Sequence, residues 1–329
     1  MRGRPRAGPE IVVVGAASRD LAEDDERGWR LGGGVTYAAL QSVRLGVRTA
    51  AIIGLDRASF EATELELLAV AGVELLRVPL AHGPVFRNVE APGGRVQTCL
   101  DPGRPLPMVD VPGAWRDAPA WVLAPVAGEL EERWSERMRD DAFVALGWQG
   151  LLRTLRAGAR VGRLSPAHGR LVARADLVAL SEHDLPVDAR PEKLVAFLKP
   201  GAWLVVTAGA TGGWHAVVTS GGPGPLLRYP AIAAVKEVDA TGAGDTFLAA
   251  LVASLVGMGA VAGASPRRAG GGEPAASPPL APHLRFAAAA ASFTVEGLGL
   301  STVPDRAAVL GRLARPAVQS FAESPFSPT

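Results

Sequence analysis

The sequence predicts an α/β fold: a mainly parallel sheet covered on both faces, with a small β-strand flap attached. Three observations carry this. The 329 residues are 48% hydrophobic, enough to fill one large core. Short apolar runs of strand length alternate with segments of helical spacing, the pattern of parallel sheets. One stretch, "VELLRVPLAHGPVFRNVEAPGGRVQTCL", breaks that rhythm with short strands around a "PGGR" turn, and places the flap at about 76–100.

In chain order, "EIVVVGAA" is a continuous apolar run and a first strand. "VTYAALQSVRLG" has helical spacing and stops at Gly46. "TAAIIGLD" is a second strand, and "FEATELELLAVAG" a helix closed by Gly72. "AWVLAP", "RVGRL" and "DLVALS" read as short strands, and "WLVVTAGATGGWHAVV" as two strands around a glycine-rich turn. "GDTFLAALVASLV" and "HLRFAAAAASFTVEG" are helical. The run "FLAALVASLVGMGAVAGA" has the length of a membrane span, but it is rich in Ala and Gly and follows a polar motif directly. It reads as a buried helix ending near Gly257 or Gly259. Residues 263–282, rich in Pro, Gly and Ala, read as a flexible insertion, and 316–329 as a disordered tail outside a domain spanning 10–315.

Composition excludes several functions. The net charge is +1, which supports neither nucleic acid nor an anionic membrane as partner. The single cysteine, Cys99, rules out an internal disulfide, and the five histidines show no metal-ligand spacing. A reducing, cytoplasmic setting fits. The apolar run after "MRGRPRAGPE" is too short for a signal peptide. No G-x-G-x-x-G follows the first strand and no G-x-x-x-x-G-K-[ST] occurs, which argues against a dinucleotide oxidoreductase and a Walker-type kinase.

The most pointed chemistry lies in "VDATGAGDTF", Val238 to Phe247. A glycine-rich turn entering a helix presents unpaired backbone N–H groups, and the helix dipole favours an anion there. Gly242, Ala243 and Gly244 form such a nest, small enough for a phosphate to approach the backbone. A carboxylate beside a phosphate opposes binding, but it makes sense if Asp245 removes a proton from the hydroxyl that attacks the phosphate. The plainer alternative is that Asp245 only caps the helix.

The stretch "DATGAGDTF" resembles the C-terminal signature of the ribokinase-like (PfkB) carbohydrate and nucleoside kinases. The resemblance implies the three-layer α/β/α fold of that family, with the flap as a lid over the sugar. It continues through "VVVGAASRDL" with Asp20, "LGGGVTYAALQSVRLG" with Gly32 and Gly33, "TAAIIGLD" with Asp56, "VVTAGATGGWH" with Thr207, Gly209 and Gly212, and "FAAAAASFTVEGLGLSTVP", about residues 10 to 310. Its implications are phosphoryl transfer from ATP, with magnesium, to a hydroxyl of a small sugar, polyol or nucleoside. Asp245 is then the base and the 242–244 backbone the anion hole. Asp20, Gly32 and Gly33 hold the acceptor, and Thr207, Gly209 and Gly212 line the nucleotide. Asp239 and Thr241 are implied ligands of a monovalent cation such as K⁺, although Asp239 can equally cap a strand. The chain is expected to be a monomer or homodimer.

The chain also departs from the family pattern. Where Asn-x-x-Glu commonly organises magnesium, "ALSEHDL" supplies Ser181 and Asp184. Tyr37 replaces an Asn that contacts sugar, and either lines the acceptor pocket or turns into the core. Gly34 stands where ribokinases place a Lys. "ALGWQGLLR" offers Gln149 and Arg153 as acceptor-binding candidates. These features look more like an inositol-kinase-like branch. The altered Ser181/Asp184 pair also admits a ligand-sensing relative that binds without turnover.

Overall fold

The computed structural model describes residues 7–91, 94–186, 189–219, 221–256 and 280–315. Its frame is a ten-stranded sheet. The first strand, β1 (Ile11–Ala16), lies at the centre of it and is buried at every position. Two further strands, β2 (Ser18–Leu21) and β3 (Trp29–Gly32), follow before helix α1 (Gly34–Arg44). Then come β4 (Thr49–Leu55), α2 (Thr63–Ala71), β5 (Glu74–Pro79), β6 (Pro84–Ala91), β7 (Gly94–Pro102), α3 (Gly113–Arg116), β8 (Ala120–Leu123) and β9 (Phe143–Gly147). Short strands β10 (Arg153–Thr154), β11 (Ala159–Arg160) and β12 (Gly162–Arg163) precede α4 (Arg170–Arg174), β13 (Leu177–Ser181), α5 (Pro191–Leu194) and β14 (Trp203–Thr207). The chain continues through β15 (Gly213–Thr219), β16 (Gly222–Pro223), β17 (Leu227–Tyr229), α6 (Ala243–Val256), α7 (Ala281–Thr294) and α8 (Arg306–Ala314).

The sheet order is β16-β15-β14-β13-β9-β8-β1-β4-β5, with β17 beside β15. From β14 to β5 every neighbouring pair is parallel, while β15 runs antiparallel to β14, β16 and β17. Alternation along the strands divides the core. Ile11, Val13, Ala51 and Ile53 face a layer with residues of α1, α6 and α7. Val12, Val14, Ala50 and Ile52 face the other layer, where Trp121, Trp134 and Trp148 are wholly buried. That second face carries only short helices and turns, so the bulky indoles fill the volume that long helices fill on the first.

A second, five-stranded sheet, ordered β11-β7-β6-β2-β3, stands at the carboxyl end of β1. The flap expected at 76–100 is therefore divided. Residues 74–79 are the parallel edge strand of the large sheet, whereas β6 pairs in the second sheet with β2, a strand the sequence did not announce, and β7 with β11, at the start of the expected run "RVGRL". Strand β9 was also not anticipated. The helix expected in "FLAALVASLVGMGAVAGA" runs from Ala243 to Val256, and its continuation lies outside the described residues. Most of the proposed 263–282 insertion lies outside them too, as does the 316–329 tail. Leu280 to Pro282 do not belong to an insertion: Leu280 is buried and α7 begins at Ala281, with proline in its first turn, where a missing N–H costs no helical bond. No helix among the described residues is long and apolar enough to cross a membrane.

Candidate active site

The strand order reverses at β1, which pairs with β4 on one side and β8 on the other. Open α/β sheets bind ligands in the crevice beyond the carboxyl ends of strands at such a switch point. The candidate residues converge there because they follow successive strand ends: Asp20 after β1, Gln149 and Arg153 after β9, Asp184 after β13, Thr207 at the end of β14.

The turn entering α6 is built locally. Asp239 Oδ1 accepts from Thr241 N–H (2.9 Å) and Oγ1–H (2.6 Å), which closes an Asx turn. Val238 N–H donates to the Val295 carbonyl at 2.7 Å and ties the turn to the end of α7. Gly242 adopts a left-handed φ of 77°, and the ring of Tyr37 fills the space where a side chain at 242 would go. Ala243 N–H donates to the Ala240 carbonyl (3.2 Å), and Thr246 N–H to Gly242 O (2.8 Å). Of the nest expected at 242–244, the Ala243 N–H is thus engaged within the turn itself. The Gly244 and Asp245 N–H groups lie in the first helical turn, where no intrahelical carbonyl reaches them.

Asp245 sits in that first turn, half-buried. Its carboxyl is pushed up to about 6, first by burial, then by the neighbouring charges of Asp184 and Asp20, against a downward pull from Arg153. A side chain at Gly34 would meet Asp245 Oδ1 at 2.6 Å, so the carboxylate rests on the first residue of α1. Gly33, at φ 94°, packs against the end of β1: a side chain there would lie 2.7 Å from Ala16 O. Two helix starts and the end of β1 therefore meet at Asp245.

Arg153 balances the acidic groups. Its Nη1 donates to Val126 O at 3.0 Å, and its guanidinium lies over the Phe86 ring, 5.8 Å from the centroid. Burial pulls its pKa down, while Asp184, Asp245, Asp20 and Glu129 pull it up. Glu129 has no motif in the sequence to reveal it. Only 2% exposed, it accepts backbone N–H from Ala16 (2.8 Å), Val126 (3.1 Å) and Ala127 (2.8 Å), joining the end of β1 to the loop after β8 at the switch point. Burial pushes its carboxyl up, against those three bonds.

The departure at Ser181 and Asp184 has a local explanation. The two residues form a capping box: Ser181 Oγ accepts from His183 N–H (3.2 Å), and Asp184 Oδ2 accepts from Ser181 N–H (2.9 Å). Asp184 Oδ1 accepts from Gln149 Nε2 at 3.1 Å, so Gln149 holds the carboxylate in place. At the far end of the crevice, Thr207 Oγ1 donates to Leu180 O (3.4 Å). Gly209 and Gly212 take φ values of 54° and 92°, and the Tyr229 carbonyl excludes any side chain at Gly212.

Between the second sheet and the α6 turn lies a cleft of about 180 Å³, lined by Asp20, Arg30, Tyr37, Asn88, Asp239 and Thr241 among others. A side chain at Gly32 would meet Asp20 Oδ2 at 2.1 Å, so the Asp20 carboxylate lies against that glycine. Tyr37, 2% exposed, belongs to the core and also lines the cleft. A separate depression of about 420 Å³ at Gly8, Glu10, Arg48 and Asp117 lies at the amino-terminal edge of the sheet, remote from Asp245.

Residues 166–306 match the family model for pfkB family carbohydrate kinases. No curated protein matches the chain. Among solved structures, a pyrophosphate-dependent kinase in the ribokinase family, complexed with a pyrophosphate analog and myo-inositol, is similar with a TM-score of 0.64 and 20% identity, over 92% of this chain and 99% of that one. Arabidopsis thaliana ribokinase, complexed with ribose and ATP, gives 0.63 and 22%, over 94% and 100%. The nucleoside kinase of Methanocaldococcus jannaschii gives 0.60 and 16%, over 94% and 99%. The family match covers the part of the chain that holds the α6 turn, and the likeness of fold extends over nearly the whole chain: this protein has the ribokinase fold, and its residues 166–306 resemble the pfkB family of carbohydrate kinases.

Proposed function

We propose that the protein transfers the γ-phosphoryl group of ATP to a hydroxyl of a small sugar, an inositol-like polyol or a nucleoside, with Asp245 as general base. The observation that carries this reading is the position of Asp245. Its carboxylate lies in the first turn of α6, beside the first residue of α1, with a pKa of about 6. A base of that strength is ionised at neutral pH yet retains affinity for a proton. In this reading Asp245 takes the proton of the attacking hydroxyl while the N–H groups of the α6 first turn face the transferring phosphoryl group. Asp20, on β2, accepts from acceptor hydroxyls, and Gly32 and Gly33 let the acceptor approach the backbone. Arg153 offsets the charge of the carboxylates around it. The Gly209–Gly212 turn, free of side chains at its tightest point, suits a nucleotide lying along Thr207.

Among the described residues there is no cluster of three or more His, Cys, Asp or Glu able to hold a metal. That suits magnesium, which binds through one or two carboxylates, water and substrate phosphates. Asp184 fits such a role: each of its oxygens accepts one bond and keeps a lone pair. When bound, the ion neutralises phosphate charge. The Asp239–Thr241 bonds close the turn, a structural role that stands beside the one proposed with K⁺.

The test is ADP release from ATP and magnesium across a panel of sugars, polyols and nucleosides, with product identification, for wild type and Asp245→Asn. Acceptor-dependent ADP release that the substitution lowers by ~10²–10⁴-fold, with ATP still bound, supports the reading. Acceptor binding without ADP release identifies a sensor instead.

A further inference from the structure

Glu129 has no part in the proposed chemistry, yet it sits one step from the groups that do. Its Oε1 accepts from Ala16 N–H at 2.8 Å, and its Oε2 from Val126 and Ala127 N–H at 3.1 and 2.8 Å. Its own carbonyl accepts from Leu106 N–H at 2.8 Å. Each of the bonds to the carboxylate comes from a backbone donor, in a site where Glu129 is 2% exposed. Both oxygens must therefore accept, which a carboxylate does and an amide cannot. The loop from Ala124 to Glu129 is fastened in this way to the end of β1.

That loop in turn sets the place of Arg153. Glu129 holds the N–H of Val126, and the carbonyl of the same residue accepts from Arg153 Nη1 at 3.0 Å. Val126 also packs with Phe86, and the Arg153 guanidinium lies over the Phe86 ring. The loop bears as well on the 3₁₀ turn Trp148–Leu152. A side chain at Gly150 would run into the Pro125 carbonyl and lie 2.7 Å from Val126 N. That turn carries Gln149, which holds Asp184, and leads directly into Arg153. One loop therefore braces both the guanidinium and the partner of Asp184.

We infer that Glu129 is a positioning residue: by holding the Val126 peptide it keeps the Arg153 guanidinium among Asp20, Asp184 and Asp245, and so sets the strength of the base. Asp245 feels Arg153 from beyond β9, Asp184 from beyond β13 and Asp20 from β2, and of these three Arg153 is the cation. A guanidinium that drifts away leaves Asp245 with two like charges and a stronger hold on its proton. The inference deepens the kinase reading and rests on it for Asp245 as base. The effect of Glu129 on the Asp245 carboxyl does not depend on turnover.

The test reads that carboxyl directly. The full chain is labelled with ¹³C at the aspartate carboxyls and titrated by NMR, the Asp245 signal being the one lost in Asp245→Asn. Arg153→Met should raise the Asp245 midpoint by about 1 pH unit or more. Glu129→Gln should raise it by about 0.5–1 pH unit, because the amide turns a donor toward backbone N–H groups and the Val126 peptide moves. Glu129→Asp keeps two acceptor oxygens and should show a smaller rise of the same sign. In the double variant Glu129→Gln/Arg153→Met the midpoint should match that of Arg153→Met alone, since a residue that works through Arg153 has nothing left to act on. In kinetics, kcat/KM of Glu129→Gln should fall by about 2- to 5-fold more at pH 6 than on the plateau at high pH, whereas damage to the fold alone lowers both equally. If Glu129→Gln does not fold, Glu129→Asp carries the comparison. An unmoved Asp245 midpoint in a folded Glu129 variant, or effects of the two substitutions that simply add, overturns the inference and leaves the kinase reading standing. A raised midpoint without ADP release from any acceptor does the reverse.

Discussion

Asp245 has a carboxyl pushed up to about 6, and the sign of its effects comes from that. If Asp245 is the base proposed, activity needs its ionised form, so kcat/KM should fall about tenfold per pH unit below pH 6 and level off above it. Stability runs the other way. The folded state binds this proton at about 6 and the unfolded chain near 3.8, so as pH falls from 6 toward 4 this group's contribution becomes more favourable to folding. Asp245→Asn, which is uncharged at every pH, should therefore lose turnover yet melt no lower than wild type at pH 7. A melting temperature several degrees lower would remove the strain assigned to this carboxylate. Gly34 gives a second test. Its φ lies outside the left-handed region, so alanine is conformationally acceptable there and is the better helix former. A side chain at 34, however, meets Asp245 Oδ1 at 2.6 Å and Ala124 Cβ at 3.2 Å. Gly34→Ala should keep or raise the melting temperature while lowering kcat on the order of 10- to 100-fold, because the base is displaced. Adding Ala124→Gly should not restore activity. Full rescue by that second change would place the conflict at Ala124 instead.

At the scale of elements, α1 supports the turn before α6. Tyr37 packs under Gly242, and α1, α6 and α7 share one core layer. Tyr37→Asn leaves a cavity in a layer where its ring is 2% exposed, and should cost roughly 2–4 kcal/mol. Because the same ring positions Gly242, kcat should fall as well, not acceptor KM alone. Denaturant unfolding and kinetics on one preparation check both. Wild-type stability with an altered acceptor profile would make Tyr37 a pocket residue only. The start of α7 belongs to the same layer through Leu280, which explains why the polar, Pro-rich composition before it is a poor guide to where the helix begins.

At the scale of the molecule, the two sheets are joined beside the crevice by a charged contact. Arg19 on β2 donates through Nε (3.1 Å) and Nη2 (2.8 Å) to Asp56 Oδ2, just past β4. Ser59 N–H and Oγ–H hold Asp56 Oδ1 at 2.9 and 2.8 Å. Burial pushes the Asp56 carboxyl up, but the Ser59 and Arg19 bonds outweigh it and bring its pKa below the usual value. The stabilisation is therefore present above the ordinary aspartate range and is lost as pH falls through the lowered pKa. Arg19→Met should cost roughly 1–3 kcal/mol at neutral pH, less than a fully buried pair because Arg19 keeps a quarter of its side chain exposed. Equilibrium unfolding at pH 7 measures it, and a loss under about 0.5 kcal/mol would show that the sheets are joined by packing alone.

The parallel sheet was legible because β1 and β4 are buried on both faces, which forces unbroken apolar runs into the sequence. The α6 turn was legible because Gly242 takes a left-handed φ against the Tyr37 ring, and because Asp239 and Thr241 close a turn within three residues, so its constraints leave a local signature in the sequence. The second sheet was not legible in full. Strands β2 and β3 are four residues each and only partly buried, so no alternation marks them. Strand β9 is five residues long with three buried at its middle, too brief an apolar run to stand apart from the polar Gln149 and Arg153 beyond its end. Tertiary structure alone decided that Glu129 joins β1 to the loop after β8, that Gln149 holds Asp184, that Arg153 lies among four carboxylates, and that Gly34 makes room for Asp245. Each of these joins residues far apart in the chain through one hydrogen bond, charge or close approach. Such a contact constrains a single position and leaves no periodic trace, so only the folded chain reveals it.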